Sequence, residues 1–195
     1  MRILICFLGA ISMSLVFSNG IFAQSKKRTE PLAENASLET TQKWLAKEIK
    51  KFSKYAFENQ FRSEITKVSN IKFEGCNISY RYTRAYISAS ANSIGSIGSP
   101  SSSSPTTSEE TSLYSFNLKL LDTDVVLKSS KTKGMQIILL NTLEKKEDIS
   151  FIHDPKTRYK KAGSQKSASF TIRETAAEQI KNGFIQAIKL CQATK

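Results

Sequence analysis

The chain contains one histidine in 195 residues, which removes most of the reactions that depend on imidazole. A serine or cysteine triad, or a histidine-ligated zinc, would have to run through His153. No G-x-S-x-G elbow, G-x-x-x-x-G-K-S/T phosphate loop, H-E-x-x-H pair or C-x-x-C pair occurs. Cysteine is scarce, with three in all, and there are only four prolines. Negative charge is also short: 17 acidic residues face 29 lysines and arginines, a net charge of +12. Specific phosphate-transfer, thiol-redox and metal chemistries are therefore without their usual sequence signatures, and neither a cofactor nor a metal is expected.

What is present begins at the N-terminus. Arg2 leads into an apolar run from Ile3 to Phe17, and Ser18, Asn19, Gly20 and Ala23 follow. A basic start, a short apolar stretch and small residues before a cleavage point after Ala23 read as a secretory signal over 1–23, too short to anchor a mature protein in a membrane. Cys6 lies inside the apolar run and leaves with it. Cleavage removes Arg2 as the single charge, so 172 residues remain with 28 basic against 17 acidic, a net charge of +11. That length suits one domain. Export to the periplasm or the medium makes a bond between Cys76 and Cys191 the expected state of those thiols.

Residues 24–36 are polar, start with Lys26, Lys27 and Arg28 and contain Pro31, so they read as a disordered lead. From Leu38 to about Tyr55, Leu38, Leu45, Ile49, Phe52 and Ala56 repeat at helical spacing, with Asn35 or Ser37 as cap and Trp44 at the edge of the stripe. Period two then takes over. Ile71 and Phe73 alternate with polar residues, and Cys76, Ile78, Tyr80 and Tyr82 share one face beyond Gly75. Further strands are expected over Tyr114–Leu120, Val125–Lys128, Met135–Leu140 (the most continuous apolar run, suited to a central strand), Ile149–Ile152 and Ser167–Ile172. His153-Asp154-Pro155 reads as a turn. A closing helix carries Ala177, Ile180, Phe184, Ile188 and Cys191 on one face, and Thr175 with Glu178 has capping-box spacing. Gly183 lies off that stripe and marks a close approach to another element. Residues 88–112, eleven serines in twenty-five with Pro100 and Pro105, read as a mobile loop. The fold class expected is α+β: a mainly antiparallel sheet or partly open barrel of six or seven strands between an N-terminal and a C-terminal helix, forming one domain over 37–192.

Three constellations bear on function. Cys76 and Cys191 both face the core and would staple the closing helix to the sheet. Asp122 with Asp124, and Glu144 with Glu147 and Asp148, are the carboxylate groups available to glycoside hydrolysis without histidine, although both occupy turn-like segments. The stretch from Lys156 to Arg173 contains no acid; Lys156, Arg158, Lys160 and Lys161 would form the tip of a basic hairpin turning at Ala162-Gly163-Ser164. Clustered cations of this kind suit an anionic partner such as lipid headgroups or acidic polysaccharide, rather than a specific nucleic acid. Asn35-Ala36-Ser37 and Asn77-Ile78-Ser79 match the N-glycan acceptor pattern.

Thr41-Gln42-Lys43-Trp44-Leu45, Phe73-Glu74-Gly75-Cys76, Tyr114-Ser115-Phe116-Asn117-Leu118 and Ala177-Glu178 through Ala187-Ile188-Lys189-Leu190-Cys191, taken in order, resemble a group of uncharacterised secreted bacterial proteins. The resemblance implies a small secreted domain and brings no catalytic residues. Strands closed by one amphipathic helix are also similar at fold level to pleckstrin-homology-type barrels. The function expected is a non-enzymatic binding or structural module outside the cytoplasm, with a carboxylate-dependent hydrolase acting on polysaccharide as the alternative.

Overall fold

A computed structural model describes residue 29 and residues 31–58, 62–88, 106–155 and 161–194. In chain order the elements are α1 (Leu38–Phe52), β1 (Tyr55–Glu58), β2 (Arg62–Glu74), β3 (Asn77–Ser88), β4 (Thr106–Asn117), β5 (Val126–Ser129), β6 (Met135–Asn141), β7 (Ile149–Pro155), β8 (Lys161–Gln165), β9 (Ser167–Arg173) and α2 (Glu174–Ala193). The class is α+β, with two helices flanking mostly antiparallel sheet that does not close. One sheet has six strands in the order β1-β2-β3-β4-β7-β8, and a second has three in the order β5-β6-β9. The continuous apolar run of Met135–Asn141 occupies the centre of the smaller sheet, as its pattern predicts.

Helix α1 starts at Ser37, whose side chain accepts a hydrogen bond from the Thr40 N–H. Its buried stripe includes Trp44, Leu45, Ile49 and Phe52, and the helix ends at Ser53, whose Oγ accepts from the Val68 N–H at 3.1 Å. Gln42 Nε2 donates to the Gly75 carbonyl at 2.7 Å, so α1 holds the β2–β3 turn. Gly75 has φ +59°, a conformation that suits glycine at the first position of a two-residue hairpin turn. Helix α2 buries Ala177, Ile180, Phe184, Ile188 and Cys191, with Ala176, Gly183 and Ala187 beside them. Phe170 of β9 links the layers, with ring centroids 4.6 Å from Tyr80 of β3 and 5.2 Å from Phe184 of α2.

The Cys76–Cys191 disulfide is present, with Cα atoms 5.7 Å apart and the partners separated by 115 positions in the sequence. It joins the end of the β2–β3 turn to the last turn of α2. The Cys76 carbonyl also accepts from the Leu118 N–H at 2.8 Å, bringing a 3-10 turn at Leu118–Leu120 to the same corner. Gly183 makes the close approach its position suggested: a Cβ built there would lie 2.6 Å from Trp44 Cζ3 and 3.0 Å from Leu45 Cδ2.

Several expectations differ from the fold. Residues 31–36 are ordered rather than a free lead, because Leu32 packs against the core and Gln186 Nε2 lies 3.1 and 3.2 Å from the Glu34 and Ala36 carbonyls. Residues 106–112, assigned from composition to the serine-rich loop of 88–112, extend β4 and pair with β3 from Ser88↔Thr106 to Tyr82↔Ser112. There the ladder of a long hairpin outweighs the local preference of serine for turns. Residues 89–105 of that segment, like the secretory signal expected over 1–23, lie outside the described residues. The strand expected to reach Leu120 stops at Asn117, whose side chain caps the 3-10 turn. Thr175 falls inside the first turn of α2, so the capping box does not form; the N-cap is Arg173, without a side-chain bond. Ala162-Gly163-Ser164 is not a turn but the middle of β8, with Gly163 opposite Phe151. His153 and Pro155 belong to β7 rather than to a turn after it.

Candidate functional site

The inward face of the six-stranded sheet changes character along its strands. Ile78 and Phe116 sit opposite one another in register, then Tyr80 with Tyr114, then Tyr82 with Ser112, then Arg84 with Glu110. Tyr80 packs against Phe170, and the last two pairs open, beside Tyr114, into a polar cavity of about 320 Å³. Its lining is Tyr82, Arg84, Glu110, Ser112, Tyr114 and His153 from the large sheet, closed by Ser169 and Thr171 from β9. Pairing of β4 with β7 puts Ser112 directly across from His153, and Ser112 Oγ lies 2.9 Å from His153 Nδ1. Arg84 is held by neighbours: Nε is 2.9 Å from a Glu64 carboxylate oxygen, and Nη1 donates to the Tyr86 hydroxyl at 2.9 Å. Burial pulls the Arg84 pKa down, but Tyr82, Tyr86 and Glu64 outweigh it and keep the guanidinium charged. Burial, helped by Tyr55, pushes the Tyr82 hydroxyl up to about 12 against the opposing pull of Arg84. Tyr80, deeper still, is raised well above the ordinary phenol value by burial first and by Tyr114 second.

A second concavity, about 810 Å³, lies where the end of α1 meets β1, the turn before β6 and the start of α2. Phe52, Ala56, Ile65 and Met135 give it apolar walls, and Lys51, Lys54, Lys133 and Arg173 bring four cations to it, against Glu174 as the lining carboxylate. The fold assembles this group from four separate segments. Gly134, at φ +74°, turns the chain into β6, and its carbonyl accepts from the Glu174 N–H at 2.9 Å, fixing the turn against the head of α2. Lys51 Nζ sits 4.9 Å from the Phe52 ring centroid and 3.9 Å from Glu48.

Of the residues singled out from sequence, Cys76 and Cys191 come together as a bond. Lys156, Arg158 and Lys160 lie outside the described residues, and Lys161 is exposed at the start of β8, opposite His153 in register. The carboxylate groups line neither concavity. Asp122 Oδ1 accepts from the Asp124 N–H at 2.9 Å, which is turn chemistry. Glu144 pairs with Lys146 at 2.7 Å on an exposed turn, and Glu147 accepts from the Ser164 hydroxyl at 3.3 Å. Asn77 Oδ1 accepts from Asn117 Nδ2 at 3.0 Å. Sequence reading missed both concavities. The polar one depends on a register between β4 and β7 across an intervening hairpin, and the basic one collects lysines that look like solvated helix and turn residues one at a time. Comparison with protein families, with curated proteins and with solved structures finds no match, so the resemblance to uncharacterised secreted proteins gains no family assignment from them.

Proposed function

We propose that the protein is a non-enzymatic binding module working outside the cytoplasm, and that it takes an anionic amphiphile of the cell envelope, a lipid with a phosphate headgroup, in the basic groove. The observation that carries this reading is the pairing of apolar walls (Phe52, Ala56, Ile65, Met135) with four converging cations (Lys51, Lys54, Lys133, Arg173). An acyl chain gains from leaving water against the first set, while phosphate gains from the second. The basic composition, +12 over the chain, supports it by drawing the protein to anionic surfaces at long range. The disulfide fits an oxidising compartment. Among the described residues, no helix is long and apolar enough to cross a membrane.

The test is co-sedimentation with phosphatidylglycerol-containing and pure phosphatidylcholine vesicles over a salt series. Cations near an anionic surface contribute about 1 kcal/mol each, so changing Lys51, Lys54 and Lys133 together to Gln should weaken binding about a hundredfold at low salt. Equal binding by wild type and the triple variant refutes the groove. A parallel variant with Lys156, Arg158, Lys160 and Lys161 changed to Gln tests the hairpin; if it alone loses binding, the surface is the hairpin instead. A heparin column separates lipid from acidic polysaccharide as the preferred anion. Turnover of glycans that is abolished by changing Asp122 or Asp124 would establish the hydrolase alternative.

A further inference from the structure

The polar cavity of the large sheet has a chemistry unlike that of the basic groove. All eight lining residues carry a hydrogen-bonding group, and five of them carry a hydroxyl: Tyr82, Tyr114, Ser112, Ser169 and Thr171. Among the described residues that line it, the charge does not suit an anion. Arg84, the one guanidinium among the described lining residues, is already engaged by Glu64 and Tyr86. Glu110 adds a second carboxylate beside it, half-buried and with no ion pair or hydrogen bond to another described side chain. A volume of about 320 Å³ corresponds to about ten waters, at the lower end of the range for small-molecule sites. The floor is aromatic, with Tyr114 stacked on Tyr80 at 5.0 Å.

We infer that this cavity binds one neutral sugar residue, with Glu110 accepting hydrogen bonds from adjacent ring hydroxyls, the Ser112–His153 pair and the β9 hydroxyls completing its polar contacts, and Tyr114 packing against its apolar face. A pyranose matches the lining on each count. It is neutral, it presents alternating donors and acceptors to walls that offer both, and its C–H face suits an aromatic ring. A free carboxylate makes charge-assisted bonds to hydroxyls, about twice as strong as neutral ones, which gives Glu110 the largest share of the recognition. The inference stands apart from the lipid reading, since the two concavities share no lining residue.

The single histidine makes the test specific, because an imidazole-labelled sample of the oxidised, exported chain gives one histidine signal and it reports on this cavity. The probes are glucose, galactose and N-acetylglucosamine, with inorganic phosphate and tetramethylammonium as anion and cation controls. The expected result is a saturable shift of the His153 signal with at least one sugar in the millimolar range. Glu110→Gln should weaken that sugar by about tenfold or more. Ser169→Trp, a change at an exposed position on the rim, should abolish the shift while the fold is kept, and so covers failure of the first variant to fold. No shift with any of the three sugars overturns the inference. A shift caused by phosphate or by tetramethylammonium in place of the sugars overturns it too, in favour of an ion site. Neither result bears on vesicle binding at the groove.

Discussion

Replacing Gly183 by alanine sets two opposing effects against one another at a single atom. In an exposed helix interior the change would stabilise by about 1 kcal/mol, since glycine loses more backbone freedom on folding. Here the added methyl would sit 2.6 Å from Trp44 Cζ3, 3.2 Å from Trp44 Cε3 and 3.0 Å from Leu45 Cδ2. Carbon pairs rest at about 3.5–4.0 Å, so the indole or the whole helix must move by about 1 Å. Leu45 can yield by turning a terminal methyl, but the indole is a rigid ring, 8% exposed and wedged between α1 and α2. Overpacking of this kind costs about 1–3 kcal/mol. Set against the helix gain, the net expectation is a loss of about 1 kcal/mol, or about 2–4 °C in Tm for a domain of this size. The assay is urea denaturation followed by far-UV circular dichroism with the disulfide intact, run on wild type, Gly183→Ala, Trp44→Leu and the double variant. The cycle should show about 1–3 kcal/mol of coupling, with the alanine neutral or stabilising once the indole is gone. A Gly183→Ala protein about 1 kcal/mol more stable than wild type would refute the close packing of the two helices.

Two further outcomes follow from the core. Replacing Cys76 and Cys191 by alanine opens a loop of 115 residues; the chain-entropy relation gives about 4.8 kcal/mol for it, and bridges of this kind commonly contribute about 2–4 kcal/mol, so a fall in Tm of several degrees or more is expected. Non-reducing mass spectrometry of protein recovered from the periplasm or medium should find no alkylatable thiol at either position. For pH, Tyr82 is raised to about 12 and Tyr80 is raised as well, above the ordinary value of 10.0. Each is protonated in the fold where the unfolded chain has begun to ionise, so their contribution is complete below pH 10 and is lost as pH rises toward 12 and beyond. Alkaline titration should therefore show part of the phenolate absorbance appearing together with loss of the folded dichroism signal, and simple ionisation of all six tyrosines before unfolding would contradict their burial.

Local patterning carried the helices, most of the strands and the disulfide, because each depends on periodicity within one segment. Leu45, Ile49 and Phe52 are core at helical spacing, Ile78 and Tyr80 at strand spacing, and all five are buried as that spacing requires. Cys76 and Cys191 could be matched because Cys191 lies on the apolar face of α2 and Cys76 lies in the turn that leads into the apolar face of β3. Local composition failed where pairing decided the outcome. Thr106–Ser112 resembles a loop until β3 lies beside it, and His153 resembles a turn residue until the strands on either side of β7 claim it.

The amino-acid sequence by itself determined the α+β class, the apolar faces that must be buried, the cysteine pair and the excess of positive charge, since these are properties of residue type and spacing along the chain. Tertiary structure alone decided where chemistry can happen. Lys51, Lys54, Lys133 and Arg173 converge because the end of one helix, the turn before β6 and the head of the other helix meet at one corner. Ser112, His153 and Glu110 share a cavity because β7 pairs with β4 after the β5–β6 hairpin has left to join β9. Contacts between residues far apart in sequence depend on register and on which sheet a strand joins, and those are chosen by the packing of the whole core, to which no single segment holds the information.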